Sequence, residues 1–99
     1  MQGHYPARFE RDTAGTEAEW LSRLPGACAD HALTLSQGRA CVTLAEGRLR
    51  LNWTVLPARQ IALLRMERMS VLFDFDGIDE VERQRFMRYF DLYMQRGGG

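Results

Sequence analysis

The residues best equipped for chemistry fall into a few short clusters. Cys28-Ala29-Asp30-His31 puts three potential metal ligands within four residues, and Cys41 follows from what reads as a neighbouring strand. Zinc takes three or four such donors converging at about 2.0–2.3 Å. Only one cluster exists here and no second pair follows it, so a loop with a small buried thiol and a surface histidine is the expected reading, with no metal ligands assigned. Cys28 or Cys41 with His31 or His4 is also the one thiol–imidazole combination available for nucleophilic catalysis. No local signature surrounds it, and no catalytic residue is assigned.

A second cluster, Asp74, Asp76, Asp79 and Glu80, surrounds Gly77. Its spacing does not fit the calcium loop, which takes ligands at regular intervals and ends on a bidentate glutamate. Asp79 and Glu80 have structural roles at a helix start, where the dipole favours anions.

The third cluster is cationic. All 13 basic residues are arginine, a bias that fits a GC-rich, bacterial coding sequence. Lysine chemistry is thereby excluded: no Schiff base, no P-loop lysine. Arg8, Arg48 and Arg50 with Asn52 fall on the polar side of the expected strands, joined by Thr34, Thr43 and Ser70. Sheet-based RNA readers add exposed aromatics to such a face. Here Trp53, Phe73 and Phe75 fall on the apolar side, so a solvated, salt-linked face or a protein-interaction face is expected rather than a nucleic-acid one. Arg85, Arg88 and Leu92 of the last helix extend it, because Leu92 and Val81 project away from the main aromatic stripe and apolar residues hedged by arginine are common in homodimers.

These residues need a scaffold, and hydrophobic periodicity supplies one. Tyr5, Ala7 and Phe9 alternate with polar residues as a first strand. Thr16 with Glu19 three residues on is a capping box that opens a short helix carrying Trp20, Leu21 and Leu24, closed by Pro25-Gly26. From Ala32 the period becomes two: Leu33–Leu35, Ala40–Leu44 and Leu49–Val55 read as strands, and Pro57 interrupts the last. The apolar run Ile61–Met66 reads as a further short strand with a hairpin turn at Glu67-Arg68, leading to Val71–Phe75. Asp79, with Glu82 three residues later, starts a final helix with Phe86, Phe90 and Tyr93 on one face. Gly97-Gly98-Gly99 stops it; that tail is similar to the Gly-Gly ends of ubiquitin-like and sulfur-carrier proteins, but it leaves a helix rather than a strand.

The expected fold is an α+β two-layer sandwich in the order β-α-β-β-β-β-β-α. Five to six mostly antiparallel strands carry both helices on one face. The expected core is Phe9, Trp20, Leu24, Leu49, Leu51, Trp53, Val71, Phe73, Phe86, Phe90 and Tyr93. The 99 residues make one domain, large enough to bury a core without staples. Charges balance at 13 against 13, so nothing draws the chain to nucleic acid or an anionic membrane. No apolar run approaches the ~18 residues of a membrane span. The first residues contain no leader-like apolar stretch, and cytoplasmic, reduced cysteines are expected.

In element order alone the chain resembles a shortened helix-grip domain, in which a long C-terminal helix lies across a curved antiparallel sheet. That resemblance implies an apolar cavity between helix and sheet, lined here by Met66, Met69, Met87, Tyr89, Tyr93 and Met94. The first functional expectation is a small non-enzymatic protein-interaction module without cofactor, its partner another protein or a second copy. The alternative is a binder of a small apolar ligand in the helix-grip cavity.

Overall fold

Alternation of apolar and polar residues builds the sheet, and capped amphipathic segments build its cover. The computed structural model describes residues 4–96. In chain order it comprises β1 (Arg8–Ala14), α1 (Glu17–Ala27), β2 (Leu33–Ser36), β3 (Arg39–Leu44), β4 (Gly47–Ile61), β5 (Leu64–Asp76) and α2 (Glu80–Gln95). The strands form one antiparallel sheet in the order β1-β5-β4-β3-β2. Every alternate residue of β3, β4 and β5 through the sheet body is buried on one side: Val42 and Leu44, Leu49 to Trp53, Met69 to Phe75. This inner face is covered by Trp20, Leu24 and Ala27 of α1 and by Phe86, Met87 and Phe90 of α2.

Aromatic edges set how the layers meet. Phe90 stands edge-on to Phe73 at 5.5 Å, and Phe86 edge-on to Phe75 at 6.2 Å. Trp20 meets Trp53 at 5.5 Å across the other helix. Such pairs add about 0.5–1.5 kcal/mol each beyond area burial. The expected core is buried as read, with Phe9 and Tyr93 half-buried at its margin.

Both helix starts follow the sequence signals. Thr16 accepts from Glu19 N–H at 3.1 Å while the Glu19 carboxylate accepts from Thr16 N–H at 2.9 Å. Asp79 accepts from Glu82 N–H at 2.9 Å, but the Glu82 carboxylate pairs with Arg85 instead of closing a box. Helix α1 does not stop at Pro25. It runs on to Ala27, because Ala27 and Cys28 are both fully buried and pull the last turn into the core. Gly26 lies in that turn, where a Cβ would collide with the Tyr93 ring of α2.

Three strand expectations are corrected. The first strand begins at Arg8 rather than Tyr5; Tyr5 instead is strapped to α2, its carbonyl accepting from Arg83 at 2.7 Å and from Gln84 at 2.9 Å. Pro57 does not end β4, which continues through an irregular register shift between Leu56 and Arg59. There is no separate strand Ile61–Met66 and no turn at Glu67-Arg68: among the described residues four strands, not five, follow α1, and the turn lies at Ala62-Leu63. The Gly97–Gly99 tail lies outside the described residues.

Candidate functional site

The most unusual element is the distal half of the β4–β5 hairpin. Strand β3 leaves β4 at Arg39↔Asn52, with a last bond from Trp53 N–H to the Gly38 carbonyl at 3.0 Å. Strand β1 leaves β5 at Ala14↔Arg68, with Gly15 N–H donating to the Glu67 carbonyl at 2.8 Å. Beyond those points β4 and β5 pair only with each other, through Arg59↔Met66, Gln60↔Arg65 and Ile61↔Leu64. At about 3.4 Å per residue the ribbon projects roughly 20 Å past the sheet. The described chain accordingly measures 46 × 34 × 25 Å.

This arm inverts the polarity of the sheet body. Along β5 the inward side is Phe75, Phe73, Val71 and Met69, and the same alternation then gives Glu67 and Arg65. The apolar residues Met66 and Leu64 have moved to the other, outer side. On β4 the register shift does the same, so that Arg59 and Ile61 pair with Met66 and Leu64. Directly opposed residues of an antiparallel pair share a side. The outer side of the arm therefore carries Ile61, Leu64 and Met66, exposed by 53, 66 and 44%, with Leu63 at the tip 98% exposed. The inner side carries Gln60 and an Arg65–Glu67 ion pair at 2.9 Å. Among the described residues, four of the ten exposed large apolar side chains, Ile61, Leu63, Leu64 and Met66, lie on this side and tip of the arm. Neighbouring apolar residues gathered this way, rather than scattered singly, mark interaction sites.

Two local features shape how the arm can be used. Ala62 sits at φ 54° in the turn, a left-handed conformation that costs a residue with a Cβ about 1–2 kcal/mol. Pro57 and the register shift lie on the stretch of β4 that β3 does not cover, and both devices blunt an edge against further strand pairing. The β4 edge of the arm is thus guarded against strand addition. At its base, on the outer side, lies an opening of about 180 Å³ lined by Asp12, Ala14, Arg59, Met66, Glu67 and Arg68, among others.

The expected interaction residues divide between opposite sides of the molecule. Arg8, Arg48, Arg50 and Asn52 lie on the outer sheet face, exposed. There Arg8 pairs with Asp74 at 3.1 Å, Arg50 with Asp76 at 3.3 Å and Arg68 with Asp12 at 3.1 Å. Two members of the acidic cluster are thus engaged by arginine, and a third, Asp79, caps α2. A shallow groove of about 300 Å³ on this face is lined by Thr34, Ser36, Arg39, Cys41, Arg50 and Asn52, among others. Arg85, Arg88 and Leu92 lie instead along the solvent side of α2 with Val81, at the spacing of one helical stripe.

Nor do the six expected ligand-lining residues share one space. Met69 and Met87 are fully buried in the core, and Met66 sits out on the arm. Met94 borders an opening of about 110 Å³ with Arg11, Trp20 and Asp91, while Tyr89 borders one of about 90 Å³ with His31 and Phe86. Tyr93 lies half-buried beside Gly26. Across the first of these openings Arg11 pairs with Asp91 at 2.9 Å while its guanidinium lies over the Phe73 ring at 4.9 Å. Tyr5 O–H donates to the same carboxylate at 2.7 Å, and burial together with that bond raises its pKa above the usual 10.0.

The two thiols lie apart. Cys28 is fully buried beneath α1, where burial pushes its pKa up from 9.0 to about 11. Cys41 alternates with buried Ala40 and Val42 and so belongs to the outer face. Both are free, and among the described residues no three His, Cys, Asp or Glu side chains converge on a point where a metal could sit.

Comparison with known protein families, curated proteins and solved structures found no match to this chain.

Proposed function

We propose that the chain is a small, non-enzymatic protein-interaction module that engages its partner through the outer side of the β4–β5 arm. One observation carries the reading: the apolar residues of the hairpin change sides where β1 and β3 stop, so that Ile61, Leu64 and Met66 turn away from the helix layer and stay exposed with Leu63. Burying a leucine or isoleucine stabilises by about 1.5–3 kcal/mol. This arm forgoes that gain in the free chain and keeps it for a bound state.

A protein partner fits better than a lipid surface. Apolar residues occupy one side of the arm, and the other carries Gln60, Arg65 and Glu67. An amphipathic element lying on an anionic membrane brings unpaired basic residues beside its apolar side, and here Arg65 pairs with Glu67 and Arg68 with Asp12. Among the described residues no helix is long and apolar enough to cross a membrane. Two unpaired thiols suit a reducing compartment, so we place the module's work in the cytoplasm. The alternative of an apolar ligand between α2 and the sheet has less support, because two openings beside α2 among the described residues measure about 110 and 90 Å³ and ligand sites run to roughly 300 Å³ or more.

A photoreactive residue placed at Leu63, with another at Arg88 on the solvent side of α2 as comparison, tests the reading in the cells that make the protein. A discrete protein cross-link from position 63 and none from position 88 is the expected result. Cross-linking from position 88 alone, or from neither position, would refute it.

A further inference from the structure

We propose that the groove on the outer face of β2, β3 and β4 is a site for a small phosphate monoester, held between the guanidinium groups of Arg39 and Arg50. This site is separate from the docking arm and independent of it.

Charge divides the outer face into two halves. Among the described residues, the outward carboxylates of the sheet body, Glu10, Asp12, Asp74 and Asp76, all belong to β1 or β5. The outward residues of β2, β3 and the part of β4 that β3 pairs with are arginine, hydroxyl and amide side chains with Cys41, and none is acidic. The groove of about 300 Å³ lies on this cationic half.

Strand register places hydrogen-bond donors around it. Arg39 is opposed to Asn52, and Cys41 to Arg50; opposed residues share a side. The two pairs form a square with the arginines on one diagonal and Asn52 and Cys41 on the other. Such a diagonal spans roughly 7–8 Å, within reach of long side chains, so two guanidinium groups can close on one anion from opposite corners. Thr34, opposed to Cys41, and Ser36, opposed to Arg39, add hydroxyls from the β2 side.

These donors are largely uncommitted. The Arg39 guanidinium has no ion-pair or hydrogen-bond partner among the described residues. Arg50 gives one nitrogen to Asp76 at 3.3 Å and keeps its other N–H groups. A phosphate monoester brings nearly two negative charges and three acceptor oxygens, in a geometry that arginine matches bidentately. A carboxylate brings one charge and two oxygens, and would leave the Asn52 amide and the hydroxyls idle. No aromatic side chain among the described residues borders the groove, so a nucleobase has nothing to stack on. Nor do the outward residues around it offer an apolar anchor for an acyl chain or a peptide side chain. The volume, at the low end for ligand sites, fits a small polar ester.

Cys41 reports on occupancy. It is half-buried in the groove lining while Cys28 is fully buried, so a neutral alkylating reagent marks Cys41 first.

The test is an amide NMR titration of the full chain with glycerol phosphate at constant ionic strength, paired with the rate at which iodoacetamide alkylates Cys41. Arg39→Gln is compared with Arg88→Gln on the solvent side of α2; both positions are exposed, and circular dichroism verifies that both variants fold. The proposal expects saturable shifts at Arg39, Cys41, Arg50 and Asn52 and slower alkylation. It expects a dissociation constant that rises about tenfold in Arg39→Gln and is unchanged in Arg88→Gln. Absence of saturable shifts at millimolar glycerol phosphate overturns it, as does an equal response to acetate or an affinity that Arg39→Gln leaves unaltered. A phosphoserine peptide that binds about tenfold tighter than glycerol phosphate would also overturn it, by making a phosphorylated protein the ligand.

Discussion

The indole N–H of Trp53 donates to the Glu17 carboxylate at 2.8 Å and ties the sheet to the first turn of α1. Trp20, equally buried against it, has an indole N–H with no hydrogen-bond partner among the described residues. A double-mutant cycle of Trp53→Phe with Glu17→Ala is expected to give a coupling of about 1–2 kcal/mol in urea unfolding, and Trp20→Phe with Glu17→Ala close to none. Equal couplings would mean that the hydrogen bond contributes nothing. Cys28 makes a second prediction. Its thiol holds its proton longer in the folded state, so it stabilises the fold below its ordinary value and loses that stabilisation as pH rises through the shifted one. Unfolding midpoints should therefore fall between pH 9.0 and about 11, and Cys28→Ala should flatten that fall. Tyr5, raised from 10.0, adds a decline of the same sign, so a residual slope in the variant is expected. The individual chemical groups were partly legible in the sequence. Cys41 on the polar side of its strand and Asp79 as a cap could be read from local pattern. The pairing of Asp74 and Asp76 with Arg8 and Arg50 could not, because it depends on strand neighbours, and β1 lies beside β5, more than fifty residues away.

The arm and the core are made of similar residues but differ in what they do for stability. Leu64→Ala should change the unfolding free energy by no more than about 0.5 kcal/mol, as exposed positions do, while Phe90→Ala, 2% exposed, should cost about 3–5 kcal/mol. A large loss from Leu64→Ala would place the arm's outer side in the monomer's own core and remove the case for docking. Elements with long, unbroken periods were readable: the capping box of α1, the alternation of Leu49 to Val55, the aromatic stripe of α2. The hairpin was misread for a physical reason. At Glu67-Arg68 the apolar alternation slips by one residue, and a slip looks like a turn when one side of a strand is assumed to stay buried. The strand in fact runs straight through, and it is the environment that changes sides. Pro57 misled in the same way, since proline breaks a central strand but is tolerated where β3 no longer pairs.

At the scale of the molecule, two layers of opposite polarity meet along one hairpin. In the sheet body the helices cover the inner face and an arginine–carboxylate lattice faces solvent. In the arm the inner side is charged and the outer side apolar. The α+β sandwich was legible from element order, because two amphipathic helices and one apolar sheet face have a single way to cover each other. The docking side proposed here was not, since Arg8, Arg48 and Arg50 pointed to the outer sheet face and Arg88 and Leu92 to α2, on opposite sides of the molecule. Had the slip at Glu67-Arg68 been read as a change of side, it would have pointed to the arm. A ribbon of two strands alone is marginally stable in water, so cover for its apolar side should also quiet its motion. The most direct test is a residue-by-residue comparison of amide NMR shifts in the labelled full chain, alone and with a dialysed extract of the cells that make it added. Shifts confined to Ile61–Arg68 and Asp12–Ala14, with Val81, Arg88 and Leu92 unmoved, are the predicted result. Shifts gathered on the solvent side of α2, or none at all, would contradict it.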